Sequence, residues 1–234
     1  GFCLVGSEMC IRDRPYPVQH GLHGRPTLVH NVETLCAVPW IAEHGAEAYR
    51  ALGSGESAGT KLVSLNSLFE RPGLVEVPFG ISLRTIVEEI GGGIRRGDLL
   101  GVMIGGPLAG LLPPDLLDTP FTYEDLAAAG GAVGHGGVIA FADDTSVASL
   151  IAEVFRFGAG EACGLCVPCH RGTSELSDAF ETLIDGRAAL SRERWDALVA
   201  ALEQASLCGH GTGLAEFARS IERHYPEQLA ECLR

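Results

Sequence analysis

Glu161-Ala162-Cys163-Gly164-Leu165-Cys166-Val167-Pro168-Cys169-His170-Arg171-Gly172 decides how the rest of the chain is read. Three cysteines follow one another at two-residue intervals, with Gly164 and Pro168 between them to bend the backbone. That spacing turns three sulfurs inward from one loop. Cys208 follows after a gap long enough for two helices, and a returning helix end can deliver its sulfur to the same place. Four thiolates around one point are the ligand set of a 4Fe–4S cube. Structural zinc competes for the same residues. It usually takes two separated C-x-x-C knuckles or Cys/His pairs, and could recruit three of these thiols with His170 or His210. A redox disulfide from one C-x-x-C pair would leave two cysteines unexplained. The double two-residue spacing favours the cube. His170 and His210 are expected as supporting or surface groups, and Arg171 as a solvated first-turn cation or a donor near the centre.

The bulk composition narrows the classes. A chain of 234 residues, 46 % hydrophobic and 20 % charged, can hold one large domain or two smaller ones with proper cores. A formal charge of −13 argues against nucleic acid as a partner, since phosphate binding needs clustered Lys and Arg. No apolar run reaches the length of a membrane span, and the opening residues do not form a secretory signal. Eight cysteines in a chain this long, four of them in a cluster pattern, fit a reducing cytoplasm better than a disulfide framework. No G-x-G-x-x-G and no P-loop occurs, so the glycine-rich stretches 105–110 and 134–137 read as turns.

In chain order, residues 1–14 lack a clear period and switch abruptly at Pro15-Tyr16-Pro17; they read as a non-native leader, and Cys3 and Cys10 receive no role. A short strand is expected at 27–29, then a helix from Val32 towards Ala51, capped by Asn31 and kinked at Pro39, with Cys36 as a buried core thiol. Residues 53–59 read as a linker. Strands follow at 61–66 and 74–77 around the turn signal Arg71-Pro72-Gly73, a Ser82-capped helix at 83–90, strands at 100–104 and 138–141, and a short helix opened by Thr122 and Asp125. This is a small α+β unit with a β-grasp-like order. From Asp144 the pattern is helical, with helices near 147–157, 173–185, 191–206 and 214–225. Gly209 is expected to stop the third, with Cys208 at its end, so that the four-helix bundle brings four sulfurs to one corner.

Longer motifs carry a family resemblance. Gly21-Leu22-His23-Gly24-Arg25-Pro26-Thr27-Leu28-Val29-His30-Asn31-Val32-Glu33-Thr34-Leu35 resembles the G-L-F/W-G-R/K-P-T-x-V-N-N-V-E-T-L signature of the NADH-binding flavoprotein subunit of respiratory complex I. That family also holds the diaphorase subunit of NAD-linked hydrogenases and the flavin subunit of NAD-dependent formate dehydrogenases. The cysteine stretch is similar to its E-S-C-G-x-C-x-P-C-R-x-G motif, and Ser206-Leu207-Cys208-Gly209 to its fourth-ligand segment. Leu117-Asp118-Thr119-Pro120, Ala128-Ala129-Gly130 and Gly136-Gly137-Val138 fit its middle domain, so the match runs from Pro15 to Tyr225. The segment at 105–110 leans towards the formate dehydrogenase or hydrogenase branch.

The resemblance implies an order of units: the tail of an α/β flavin domain (15–59), an SLBB-like β-grasp domain (60–143) and a helical 4Fe–4S domain (144–234). It implies electron transfer from NADH through FMN to the cluster and on to other iron–sulfur subunits, a small thioredoxin-like 2Fe–2S subunit and a larger redox subunit. Cys163, Cys166, Cys169 and Cys208 take the cluster. Asn31 and Thr34 fall at the flavin phosphate or ribityl region, with His30 in the place of the first Asn of the family pair. Tyr16 falls where an aromatic stacks on the adenine of the nicotinamide nucleotide. The family's glycine-rich flavin loop and paired carboxylates have no counterpart, so the chain reads as a C-terminal fragment. By itself it is expected to be inactive towards NADH while keeping its cluster. Its expected place is cytoplasmic, reaching the inner membrane only through partner subunits. A zinc-stabilised, partner-binding scaffold is the rival reading.

Overall fold

The computed structural model describes residues 15–187 and 190–234; the leader expected at 1–14, with Cys3 and Cys10, lies outside the described residues. Helix α1 (Pro17–His20) and a single turn at Leu22–Gly24 open the chain. The strand expected at 27–29 does not form. Its backbone is drawn into a local knot instead: the Thr27 N–H donates to Pro17 O at 2.8 Å, and Thr27 Oγ1 accepts the Leu22 N–H at 2.8 Å. Helix α2 (Val32–His44) starts as expected, Asn31 Oδ1 accepting the Glu33 N–H at 2.8 Å. It carries Pro39 within it and breaks at Gly45, whose φ of 88° suits glycine, before α3 (Ala46–Arg50). Cys36, expected in the core, is exposed, as are Val32, Leu35 and Val38. Among the described residues no side chain of α2 is fully buried, and Val32 and Cys36 border an open groove instead.

One carboxylate pins α2 to the first strand. Strand β1 (Thr60–Leu65) offers the Leu62 N–H to Glu33 Oε1 at 2.7 Å, and the Lys61 ammonium pairs with Glu33 Oε2. Glu33→Gln keeps an acceptor for Leu62 but leaves the largely buried Lys61 without its countercharge. It is expected to loosen this attachment by about 1–2 kcal/mol. Hydrogen exchange at the Leu62 amide, faster by roughly tenfold, is the measurement.

Strand β1 pairs antiparallel with β2 (Gly73–Pro78) around the Arg71-Pro72-Gly73 turn. Ser82 Oγ accepts the Thr85 N–H at 3.1 Å and starts a helix that winds into a wide π-type turn at Thr85–Ile90. Then come β3 (Leu99–Ile104), the short and unexpected β4 (Leu111–Leu112), α4 (Tyr123–Ala129) capped by Thr122, and β5 (Gly137–Ala142). Among the described residues the five strands form one sheet in the order β2-β1-β5-β3-β4, with β1 and β5 parallel and the other pairs antiparallel. The last strand in sequence therefore lies in the middle. Residues 53–59 form a tight turn rather than a loose linker: buried Ser57 donates to Glu124 Oε2 at 2.8 Å and accepts the Tyr123 N–H at 3.0 Å.

The two faces of this sheet serve different cores. Val63, Val77, Val102, Ile104, Val138 and Ala140 turn to one side and pack with Phe69, Ile86, Phe121 and Leu126. Met103, Leu111, Ile139 and Phe141 turn to the other, where the helices lie. Period-two alternation along a strand produces this division.

The helical part comprises α5 (Val147–Gly160), a wide turn at Pro168–Gly172 that runs into α6 (Thr173–Ile184), α7 (Arg192–Ala205), α8 (Gly209–His224) and the short, unexpected α9 (Pro226–Cys232). Ser146 and Ser191 cap α5 and α7. Trp195 is wholly buried, edge-on to Phe155 and Phe180 with ring centroids 6.2 and 5.6 Å away, and its Nε1 donates to Glu222 Oε1 at 2.7 Å. Helix α8 starts at Gly209, five residues before the expected point. Cys208 is consequently its N-cap and not the tail of α7, which ends where Ser206 turns extended. Two bonds anchor the other end of α8: Tyr225 Oη donates to Leu100 O of β3 and His224 Nε2 to Ala129 O at the end of α4, each at 3.0 Å. The fold is mixed α+β, and no helix among the described residues is long and apolar enough to cross a membrane.

Candidate metal centre

Three local devices aim the cysteines. Gly164, at φ 79°, makes the left-handed step between Cys163 and Cys166 that a side chain would resist. Pro168 opens the wide turn that carries Cys169 inward, where the Cys169 carbonyl accepts from buried Thr173 Oγ1 at 2.6 Å. The third device lies at the start of α8. Gly211 approaches so closely that a Cβ there would sit 2.1 Å from Ser206 Oγ and 3.3 Å from Cys169 Cβ. The start of α8, with Cys208 as its cap, therefore abuts the cysteine loop. Cys163 is exposed, Cys166 and Cys208 are half-buried and Cys169 is buried.

Burial pushes the Cys169 thiol up to about 12, and the charges of Cys166, Cys208 and Cys163 add to the shift, as does a hydrogen bond with Cys166. Cys166, Cys208 and Cys163 thus lie near enough to Cys169 for their charges to act on it. Among the described residues, however, no three His, Cys, Asp or Glu side chains are arranged to hold a single metal ion. The two observations are compatible. Four sulfurs at about 2.3 Å from one zinc crowd to about 3.8 Å from each other, whereas a cube with an iron at each corner holds them farther apart. The buried Cys169 thiol resists ionisation until a cation replaces its proton, so such a centre binds metal with proton release.

The donor set fits an iron–sulfur group in two further respects. The first N–H groups of α8, at Gly209, His210 and Gly211, begin a helix whose cap supplies no side-chain acceptor, and they face an anionic centre favourably. Ser206 Oγ is buried with no hydrogen-bond partner among the described residues. His210 is turned away, its Nε2 donating to Gly158 O at 2.9 Å, while His170 and Arg171 are exposed.

The other predicted residues are less assembled. Asn31 and Thr34 share the first turn of α2 and are exposed, with His30 exposed just before them. Asn31 also borders a groove of about 660 Å³ between α2 and the outer face of the β1–β2 hairpin, lined by Cys36, Trp40, Leu62, Leu74 and His135. Tyr16 caps α1 separately and is 74 % exposed. Residues missed in the sequence were Ser206 and Gly211. The signal was Gly209, Gly211 and Gly213 alternating at a helix start, each costing about 1 kcal/mol of helix propensity, which close approach of neighbours repays at Gly211 and Gly213. Gly213 meets Leu108 in the same way, 2.9 Å from where its Cβ would be.

Residues 149–232 match the family described as the NADH-ubiquinone oxidoreductase-F iron-sulfur binding region. The match spans Cys163, Cys166, Cys169 and Cys208. The NADP-reducing hydrogenase subunit HndC of Solidesulfovibrio fructosivorans is 33 % identical over 92 % of this chain and 46 % of its own length. The F subunit of the Mycobacterium bovis NADH-quinone oxidoreductase is 36 % identical over 92 % of this chain and 48 % of its own. The crystal structure of an NAD+-reducing NiFe hydrogenase in the H2-reduced state superposes with a TM-score of 0.80 at 34 % identity, covering 95 % of this chain and 38 % of that one. The chain spans about half the length of the curated relatives it matches. Likeness to this oxidoreductase-F family thus extends well beyond its iron–sulfur binding region, through the sheet and α2.

Proposed function

We propose that this chain carries the 4Fe–4S centre of an electron-transfer subunit in an NAD-linked oxidoreductase, with Cys163, Cys166, Cys169 and Cys208 as its ligands. The carrying observation is that the start of α8, capped by Cys208, abuts Cys169 of the bent cysteine loop, inside a region that matches the oxidoreductase-F iron–sulfur family. Residues 15–59 are the tail of a flavin- and NADH-binding domain and 144–234 the cluster domain. Residues 60–143 are an SLBB-like β-grasp unit, a reading supported by the hairpin, the intervening helix and the return of β5 parallel to β1.

In the whole protein Asn31, Thr34 and His30 face the phosphate or ribityl part of FMN, and Tyr16 stacks on the adenine of NAD(H). Bound flavin supplies the conversion of a two-electron hydride donor into single electrons, and a bound cluster supplies their one-at-a-time relay. The residues here do the holding. The Gly164 and Pro168 bends aim three thiolates, Cys208 closes the set from the opposite side, and the Glu33 bridge sets α2 against the sheet. The electrons pass to further iron–sulfur subunits, a small thioredoxin-like 2Fe–2S subunit and a larger redox subunit. The relatives are themselves named as subunits of such oxidoreductases. The assembly is cytoplasmic and meets the inner membrane only through its partners. This stretch alone is inactive towards NADH.

Anaerobic purification followed by iron and sulfide analysis tests the reading. About four of each per chain are expected, with a brown chromophore that dithionite bleaches. One zinc per chain and no visible absorbance would replace it with a zinc-stabilised scaffold.

A further inference from the structure

Ser206 stands two residues before Cys208, in the short extended link between α7 and α8. Its hydroxyl is shielded from solvent and has no hydrogen-bond partner among the described residues. A buried O–H left unpaired is unfavourable, so its neighbours decide what it is for. Ser206 Oγ and Cys169 Cβ lie 2.1 and 3.3 Å from one point, the place a Cβ on Gly211 would occupy. The hydroxyl therefore lies beside the Cys169 side chain at the open first turn of α8. Its neighbour Cys169 is the buried member of the four cysteines proposed above as ligands.

We propose that the Ser206 hydroxyl donates a hydrogen bond to a sulfur of the centre held by Cys163, Cys166, Cys169 and Cys208, and so raises its reduction potential. The inference rests on the cluster reading above. Reduction adds one electron, delivered by a mediator, to a sulfur-rich anionic unit; no bond breaks, and the proton stays on Ser206 Oγ. A donor to sulfur stabilises the more negative, reduced form more than the oxidised one. The bare helix start contributes in the same direction but is shared by every variant at position 206, which isolates the hydroxyl's effect.

The test is an EPR-monitored redox titration of the anaerobically purified chain, comparing wild type with Ser206→Ala and the conservative Ser206→Thr. Ser206→Ala should keep its iron and sulfide and shift the reduction equilibrium about tenfold towards the oxidised form, a fall of about 59 mV for a one-electron couple. Ser206→Thr, which retains the O–H, should stay within roughly threefold of wild type. An alanine variant with an intact cube and an unmoved potential overturns the role of Ser206 and leaves the cluster reading standing. A wild type with no cube overturns both. Should the alanine variant fail to assemble, the reduced wild type exchanged into deuterium oxide decides. Electron–nuclear double resonance should then show a rapidly exchanging proton coupled to the centre, and its absence overturns the proposal.

Discussion

Cys208→Ala is expected to empty the centre while leaving the bundle folded. Iron should fall from about four per chain to three or fewer, with the visible absorbance collapsing in step. The loss should exceed the 10–100-fold that removing a supporting residue costs a metal site, because a direct ligand is gone. Helix α8 should persist, since Cys208 caps it without a side-chain hydrogen bond and the anchoring contacts sit at the opposite end. Circular dichroism and metal analysis on the same sample separate the two effects. Cys36→Ala, on exposed α2, serves as the control and should leave the metal content untouched. A Cys208→Ala protein with a full complement of four irons would refute the ligand assignment.

Trp195→Ala should be the most damaging change to stability. The indole is fully enclosed between Phe155 and Phe180, and its removal leaves a cavity that the rigid aromatic neighbours fill poorly. Truncations of this kind cost about 3–5 kcal/mol. Glu222 would also lose the Trp195 Nε1–H, though Arg219 still reaches its other oxygen at 2.8 Å. Urea denaturation should show the midpoint falling by roughly 2 M, given a slope of about 2 kcal/mol per molar. Cluster retention should suffer as well, because Leu198 and Leu202, on the same helix, pack beside Gly172 at the end of the cysteine turn. A midpoint within about 0.5 M of wild type, equivalent to 1 kcal/mol on that slope, would contradict this account of the core.

What the residues announced and what they concealed divide along physical lines. Side-chain caps were legible: Asn31, Ser82, Thr122 and Ser191 each begin the helix they predict, because a short polar side chain satisfies orphan N–H groups locally. Alternation gave β1, β2, β3 and β5, while β4 was too short to carry a period. The bends at Gly164 and Pro168 in the cysteine loop were legible from composition. Burial of Cys36 was misread because amphipathicity states which face is apolar, never whether something covers it. The α7–α8 junction was misread for another reason. Glycine usually marks a helix end, and only the packed neighbours of Gly211 and Gly213, namely Ser206, Cys169 and Leu108, reveal that glycines here open one. The Glu33–Leu62 bond joins groups far apart in sequence, which no local pattern encodes.

Helix α8 measures a distance. Its 16 residues span about 24 Å from the sheet-tethered Tyr225 to the sulfur-bearing cap. Because both ends are committed, its length behaves as a gauge with no slack. Adding or deleting a single residue along it would swing Cys208 through about 100° and displace it by about 1.5 Å. Strand β3, which Tyr225 grips, thereby sets where Cys208 stands.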